Sequence, residues 1–289
     1  MTRVESENPA YALDPALPVL LRPDGAVQVG WDPQRAVLVH PPHGLTPAGL
    51  AAVLRSMQTP STAAALRREA AQHGPVEAAD VDNLLAALVE ARVVVRDAGP
   101  RRHRRTVSLR VHGRGPLSDL LVESLRCSGA VVRHSSHRHA AVSTAGTDLV
   151  VLSDYLVADP RLVRELHAER VPHLPVRVRD GTGVIGPLVL PGLTSCLGCA
   201  DLHRRDRDAA WPAVAAQLRN TVAHTDRATV LATVALALSQ VDQVIAAVRG
   251  MAGGRKLAPP PTLNATLEVD LSAGSIMTRH WVRHPLCDC

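Results

Sequence analysis

Two cysteine pairs carry the residues in this chain whose types and spacing suit chemistry: Cys196-Leu197-Gly198-Cys199 and Cys287-Asp288-Cys289. A CxxC or CxC turn sets two sulfurs on one side of the backbone, close enough to chelate one ion. Two such pairs supply the four thiolates of a tetrahedral zinc site. A closed four-sulfur site leaves no position for water or substrate, so the predicted role is structural. The clip would span about 90 residues, and long loops gain most from being closed. Four of the five cysteines fall into these pairs, which chance spacing explains poorly. Two other chemistries use the same residues. A redox CxxC should follow a strand and open a helix. Disulfides suit a secreted chain, whereas this N-terminus shows no basic–apolar–small export pattern. Cys127, in Leu125-Arg126-Cys127-Ser128-Gly129, reads as a small buried apolar residue.

The second candidate is a glycine turn. Val107–Val111 reads as a strand, followed by His112-Gly113-Arg114-Gly115-Pro116-Leu117-Ser118 and a helix over Asp119–Arg126. Strand–turn–helix–strand units of this kind open nucleotide-binding domains. Here the pattern through Gly113 and Gly115 is GxGxxS, a degenerate fingerprint. The acid that would hold a ribose hydroxyl is replaced by Arg133-His134, a pair that fits a 2′-phosphate better. The single lysine, Lys256, lies in a glycine-rich loop. A fold kept without nucleotide chemistry is therefore expected, with no catalytic residue assigned. His134, His137 and His139 sit in a Ser/Arg-rich stretch and read as exposed.

The elements that position these residues fall into two parts. Residues 1–100 hold 8 Arg and 11 Asp/Glu, whereas the remainder holds 24 Lys/Arg and 16 Asp/Glu. The sign of the charge changes at the linker Gly99-Pro100-Arg101-Arg102, which predicts domains over 1–100 and 101–289. After the glycine turn, buried-type strands at 148–154 and 174–179 alternate with a helix at 160–170, implying a mostly parallel α/β sheet. A long alanine-rich helix over 227–249 is expected between layers or at a face where two copies meet. A hairpin over 264–281 leads into the last cysteine pair. The apolar run Val230–Leu238 is too short to cross a bilayer, and a cytoplasmic location is expected.

In the first domain, residues 1–12 read as frayed, and short runs at 18–22, 26–29 and 35–40 form a small antiparallel sheet around Pro23-Asp24-Gly25. Thr46-Pro47 opens one helix, Ser61 caps a second over 62–73, and 77–91 is a third. Val93–Val95 would be a wing strand. Three helices and a small sheet make a winged-helix-like α+β module. The third helix bears Glu77, Asp80, Asp82 and Glu90 and would repel phosphates, which argues against nucleic acid. Strand addition to the sheet's edge is the better use.

The run IGPLVLPGLTSCLGCADLHRRDRDAAWPAVAAQL and the ending HPLCDC resemble the ThiF-like proteins of thiazole/oxazole-modified peptide biosynthesis, called cyclodehydratase C-proteins or leader-peptide-binding proteins. That resemblance implies a winged-helix module before a ThiF-like Rossmann-type domain. It implies Cys196, Cys199, Cys287 and Cys289 as zinc ligands. It also implies a non-catalytic subunit that holds the leader of a ribosomal precursor peptide for a separate, ATP-dependent YcaO-type cyclodehydratase. Leader contacts would fall on Arg35, Ala36, Val37, Leu38 and Val39, and on the helix at Asp80, Val81, Leu84 and Leu88. Two other functions stay open at this point: a ThiF-like adenylating enzyme and a zinc-bearing DNA-binding regulator.

Overall fold

The computed structural model describes residues 9–97, 106–136, 146–249 and 258–289. Residues 99–105, Lys256, His137 and His139 lie outside them. The described residues up to Asp97 form one compact unit and those from Thr106 onward another.

In the first unit, β2 (Val19–Leu21), β3 (Val27–Val29) and β4 (Val37–Val39) make an antiparallel sheet in that order. The turn between β2 and β3 places Gly25 at φ 83, where a side chain would be strained. The predicted strand at 35–40 is shorter because the amides of Arg35 and Ala36 both turn back onto the carbonyl of Asp32. Helices α1 (Pro47–Ser56), α2 (Ala63–Gln72) and α3 (Ala78–Glu90) follow. Thr46 caps α1 by accepting from the amide of Gly49 at 3.1 Å. Thr62, and not Ser61, caps α2; Ser61 instead pairs with Tyr11.

That pairing corrects the reading as frayed for residues 10–12, the reading of residues 1–8 lying outside the described residues. Ala10–Leu13 is strand β1, central between β5 (Ser61–Thr62) and β6 (Val94–Asp97). Leu13, Leu50, Leu54, Leu66, Val81, Leu85 and Leu88 share one core.

The second unit is built on a seven-stranded sheet. Strands β7 (Ser108–His112), β8 (Val131–Ser135), β9 (Leu149–Ser153) and β10 (His173–Arg179) are parallel neighbours in the order β10-β9-β7-β8. Strands β11 (Thr182–Ile185), β12 (Ala265–Asp270) and β13 (Ser275–His280) extend it beyond β10 by antiparallel pairing. Five of the seven strands therefore run one way, since β12 points with the parallel four. Successive side chains of β9 go to opposite faces. Leu149 and Val151 enter the main core with α4 (Pro116–Arg126) and α8 (Arg227–Val248); Val150 and Leu152 pack under α5 (Pro160–Ala168). Helices α6 (Leu197–Arg207) and α7 (Trp211–Leu218) complete this unit. Cys127 corrects its sequence reading: it ends α4 and is exposed.

Helix α8 is long and apolar enough, by composition alone, to cross a membrane. Its Val230, Val234, Ala237, Val241 and Ile245 are instead buried in the main core, while Leu231 on the other side is 45% exposed. Truncating Ile245 to alanine should cost roughly 3 kcal/mol in a denaturant titration. Leu231→Ala should cost less than about 0.5 kcal/mol. Equal effects would mean that α8 is not a core helix.

Candidate metal centre and flanking sites

Cys196 sits at the N-cap of α6, where its sulfur accepts from the amide of Cys199 at 3.4 Å. The knuckle thus aims two sulfurs outward from a helix start. A Cβ at Gly198 would make only ordinary contact with the sulfurs of Cys196 and Cys287, at 3.4 and 3.6 Å. The C-terminal pair meets this knuckle directly. Sulfur separations are 3.8 Å for Cys196–Cys199, 3.5 Å for Cys196–Cys287 and 3.4 Å for Cys199–Cys289, and all four lie within 4.8 Å of one another.

Disulfide bonding needs sulfurs about 2.05 Å apart, so these are four thiols. Zinc–sulfur bonds of about 2.3 Å in a tetrahedron place sulfurs about 3.8 Å apart. The cluster fits a four-thiolate metal site with little adjustment.

Electrostatics point the same way. Burial raises the Cys196 thiol, and burial likewise raises Cys289, to about 11. At Cys199 burial is outweighed by amide hydrogen bonds from His284 and Cys196 and by the thiols of Cys289 and Cys287, leaving it near 7. A dication bound among them would draw off the protons that these crowded thiols hold.

Residues that hold the tail were not found by sequence reasoning. His284 is buried, its Nε2 lies 2.7 Å from Asp206 of α6, and its Nδ1 accepts from the amide of Leu286 at 3.1 Å. An accepting Nδ1 puts the proton on Nε2, which donates to Asp206. This hydrogen bond holds the Asp206 carboxyl below its ordinary value. Asn264 accepts from both the amide and hydroxyl of Ser195, tying the knuckle to the start of β12. Both partners were visible as a charged helix and an HPLCDC ending, but nothing local pairs them.

The glycine turn holds something other than a ligand. Asp154, just past β9, accepts from the amide of Leu117 at 3.0 Å and of Ser118 at 3.1 Å. A buried carboxylate of this chain thereby caps the N-terminus of α4, where a phosphate would sit in a nucleotide-binding unit. Desolvation raises its pKa, against the pull of those hydrogen bonds. A Cβ on Gly113 would lie 2.4 Å from the carbonyl of Ser153, and one on Gly115 would lie 2.7 Å from Asp154. The glycines make room for Ser153-Asp154. His134 is exposed, as expected, but belongs to β8, and its Nε2 lies 3.0 Å from the carbonyl of Gly113.

The candidate peptide residues are divided between surface and core. Val39, Val81 and Leu88 are buried in the first unit, so they are not open for docking. Leu84 is half-buried, Asp80 lies in the first turn of α3, and Leu38 is 48% exposed. Among the described residues β4 pairs only with β3. Arg22 and Gly30 donate to Ala26 and Pro18 respectively across β2–β3. Backbone alternation then turns Val27 and Val29 toward β4, and leaves the amide and carbonyl of Leu38 facing the open edge.

No family model matches the sequence, and no curated protein matches it significantly. Solved structures do match. The chain aligns over 97% of its length with a heterocyclase in complex with substrate and cofactor (TM-score 0.69, 17% identity) and with the heterocyclase TruD (TM-score 0.67, 16%). It spans only 39% and 42% of those two chains. It aligns over 96% of its length, and 98% of the other chain, with E. coli MccB bound to AMPCPP and MccA (TM-score 0.58, 13%). At these identities the likeness is one of fold.

Two predictions follow from this geometry. Elemental analysis should find one zinc per chain; Cys199→Ser, or truncation before Cys287, should abolish it and lower the melting temperature. Protection of the four thiols from a thiol reagent should vanish with a chelator, and a metal-free chain of undiminished stability would refute the site. Separately, Gly113→Ala should destabilise by about 1–3 kcal/mol through overpacking, with no change in any nucleotide affinity.

Proposed function

We propose that this chain is a non-catalytic, peptide-presenting subunit. In this reading the first unit is a winged-helix-like module that holds the leader of a ribosomal precursor as an added strand. A separate YcaO-type cyclodehydratase acts on the rest of the precursor, and a structural zinc on Cys196, Cys199, Cys287 and Cys289 stabilises the second unit. The open edge of β4 carries this reading, with the backbone groups of Leu38 facing outward. Leu20, Gln28 and Leu38 are register partners across the sheet, and both leucines are exposed, at 41% and 48%. A fourth strand would extend that row while gaining main-chain hydrogen bonds. The fold's likeness to a heterocyclase solved with substrate and to MccB solved with MccA is consistent with it.

A second reading, an adenylating enzyme, is favoured by the near-full coverage of MccB, which was also solved with ATP. The carboxylate of Asp154 at the start of α4 weighs against it, because it occupies the anion position with a negative charge. ATP–pyrophosphate exchange by the purified chain alone would favour the enzyme.

The peptide reading is tested by fluorescence anisotropy of the full chain with a labelled precursor from a neighbouring reading frame. Leu38→Pro removes the outward N–H and leaves the β3–β4 ladder intact, so it should weaken binding at least tenfold. Leu38→Glu should act similarly. Tight binding that survives both changes would rule out docking at this edge.

A further inference from the structure

The second unit contains a cavity of about 990 Å³ roofed by α6 and α7, and a smaller one of about 450 Å³ at the carboxyl ends of β7 and β9. Arg177 and Arg219 line both. The two recesses therefore meet at a pair of guanidinium groups. Crevices at the carboxyl ends of parallel strands are where open α/β sheets take ligands. Arg177 lies one residue beyond the register of β9, whose last residue, Ser153, pairs with Val176.

The two carboxylates that act on Arg177 are already paired with other groups. Asp201 accepts from Arg204 at 2.8 Å and from the Trp211 indole at 3.2 Å. Arg204 is further held between two indoles, 5.1 Å from Trp211 and 5.2 Å from Trp281. Glu268 accepts from Arg179 at 3.2 Å and Arg279 at 3.0 Å. Those are the carboxylates whose field reaches Arg177, and neither bonds to it. Among the described residues Arg177 makes no hydrogen bond or ion pair. Arg177 is half-buried and lines both cavities, and desolvation brings its guanidinium down to about 10. A cation partly withdrawn from water with no partner is costly unless something negative joins it.

We propose that the junction of these cavities binds a small organic anion, with its carboxylate or phosphate on Arg177 and Arg219 and its apolar body in the larger recess. The guanidinium fork matches either oxyanion, and Val163, Val214, Leu218 and the Trp211 ring supply apolar walls. This site is distinct from the sheet edge of the first unit and does not depend on peptide binding there.

The test uses the full chain in calorimetry with three probes of one body: phenylacetate, phenyl phosphate and the neutral phenylacetamide. Binding of at least one anion, at least tenfold tighter than the amide, is expected; the stronger anion identifies the head group. Equal binding of the amide, or no binding of either anion at millimolar concentration, overturns the site, and neither outcome needs a variant. Arg177→Met should then reduce anion affinity at least tenfold while leaving the melting temperature unchanged or raised, because it removes an unpaired, half-buried charge. Arg219→Gln, on the exposed rim, should weaken binding severalfold without affecting folding. Anion binding unchanged in both variants also overturns the assignment.

Discussion

Four sulfur atoms from sequence positions about 90 residues apart occupy one small volume, and the second unit is arranged around that demand. Four thiolates repel one another, while four thiols make only weak hydrogen bonds, so neither form explains their convergence. A bound dication would, and closing so long a loop would add a large chain-entropy benefit. The consequences spread outward. The knuckle starts α6, and α6 carries both Asp206, which fixes the tail through His284, and Arg204, which stacks between Trp211 and Trp281. The wall of the large cavity is thus built on the cysteine knuckle, and loss of the cluster would loosen both.

Much of this was legible in the sequence where the determinants are local. The cysteine pairs carry their own spacing; Thr46-Pro47 is a helix start by chemistry alone; the hairpin that ends in β13 announces itself by alternation. Determinants that act across the fold were not legible. Strand β1 is four residues long and becomes a strand through pairing with β6, over 80 positions away. Val81 and Leu88 look like a docking stripe on a helical wheel, yet the same periodicity marks a core face, and here the core takes it. Cys127 fails for the opposite reason, because a helix end can leave a small apolar residue in water.

The glycine turn shows how one pattern can serve opposite ends. In a nucleotide-binding unit, glycines admit a phosphate to the helix N-terminus. In this chain the same absence of Cβ atoms admits Ser153 and the carboxylate of Asp154. The helix dipole is satisfied internally, and an approaching phosphate would have to displace a buried, doubly hydrogen-bonded anion of its own sign. The degenerate fingerprint is therefore complemented from inside the protein.

Arg177 is the reverse case. Asp154 is a buried carboxylate that takes two amide hydrogen bonds, whereas Arg177 is a half-buried cation beside carboxylates, Asp201 and Glu268, that are bound to other groups. Burying a charge without a partner lowers stability, and an apolar side chain of similar length would pack a β-strand position beside apolar walls at less cost. Structural need alone would not select arginine there. Two tryptophans and a salt bridge meanwhile hold Arg204 rigid a short distance away, so the wall is preorganised and its carboxylates are kept from collapsing onto Arg177. Such a charge is best understood as kept for a partner that arrives from solvent, and the cavity is the route by which it would come.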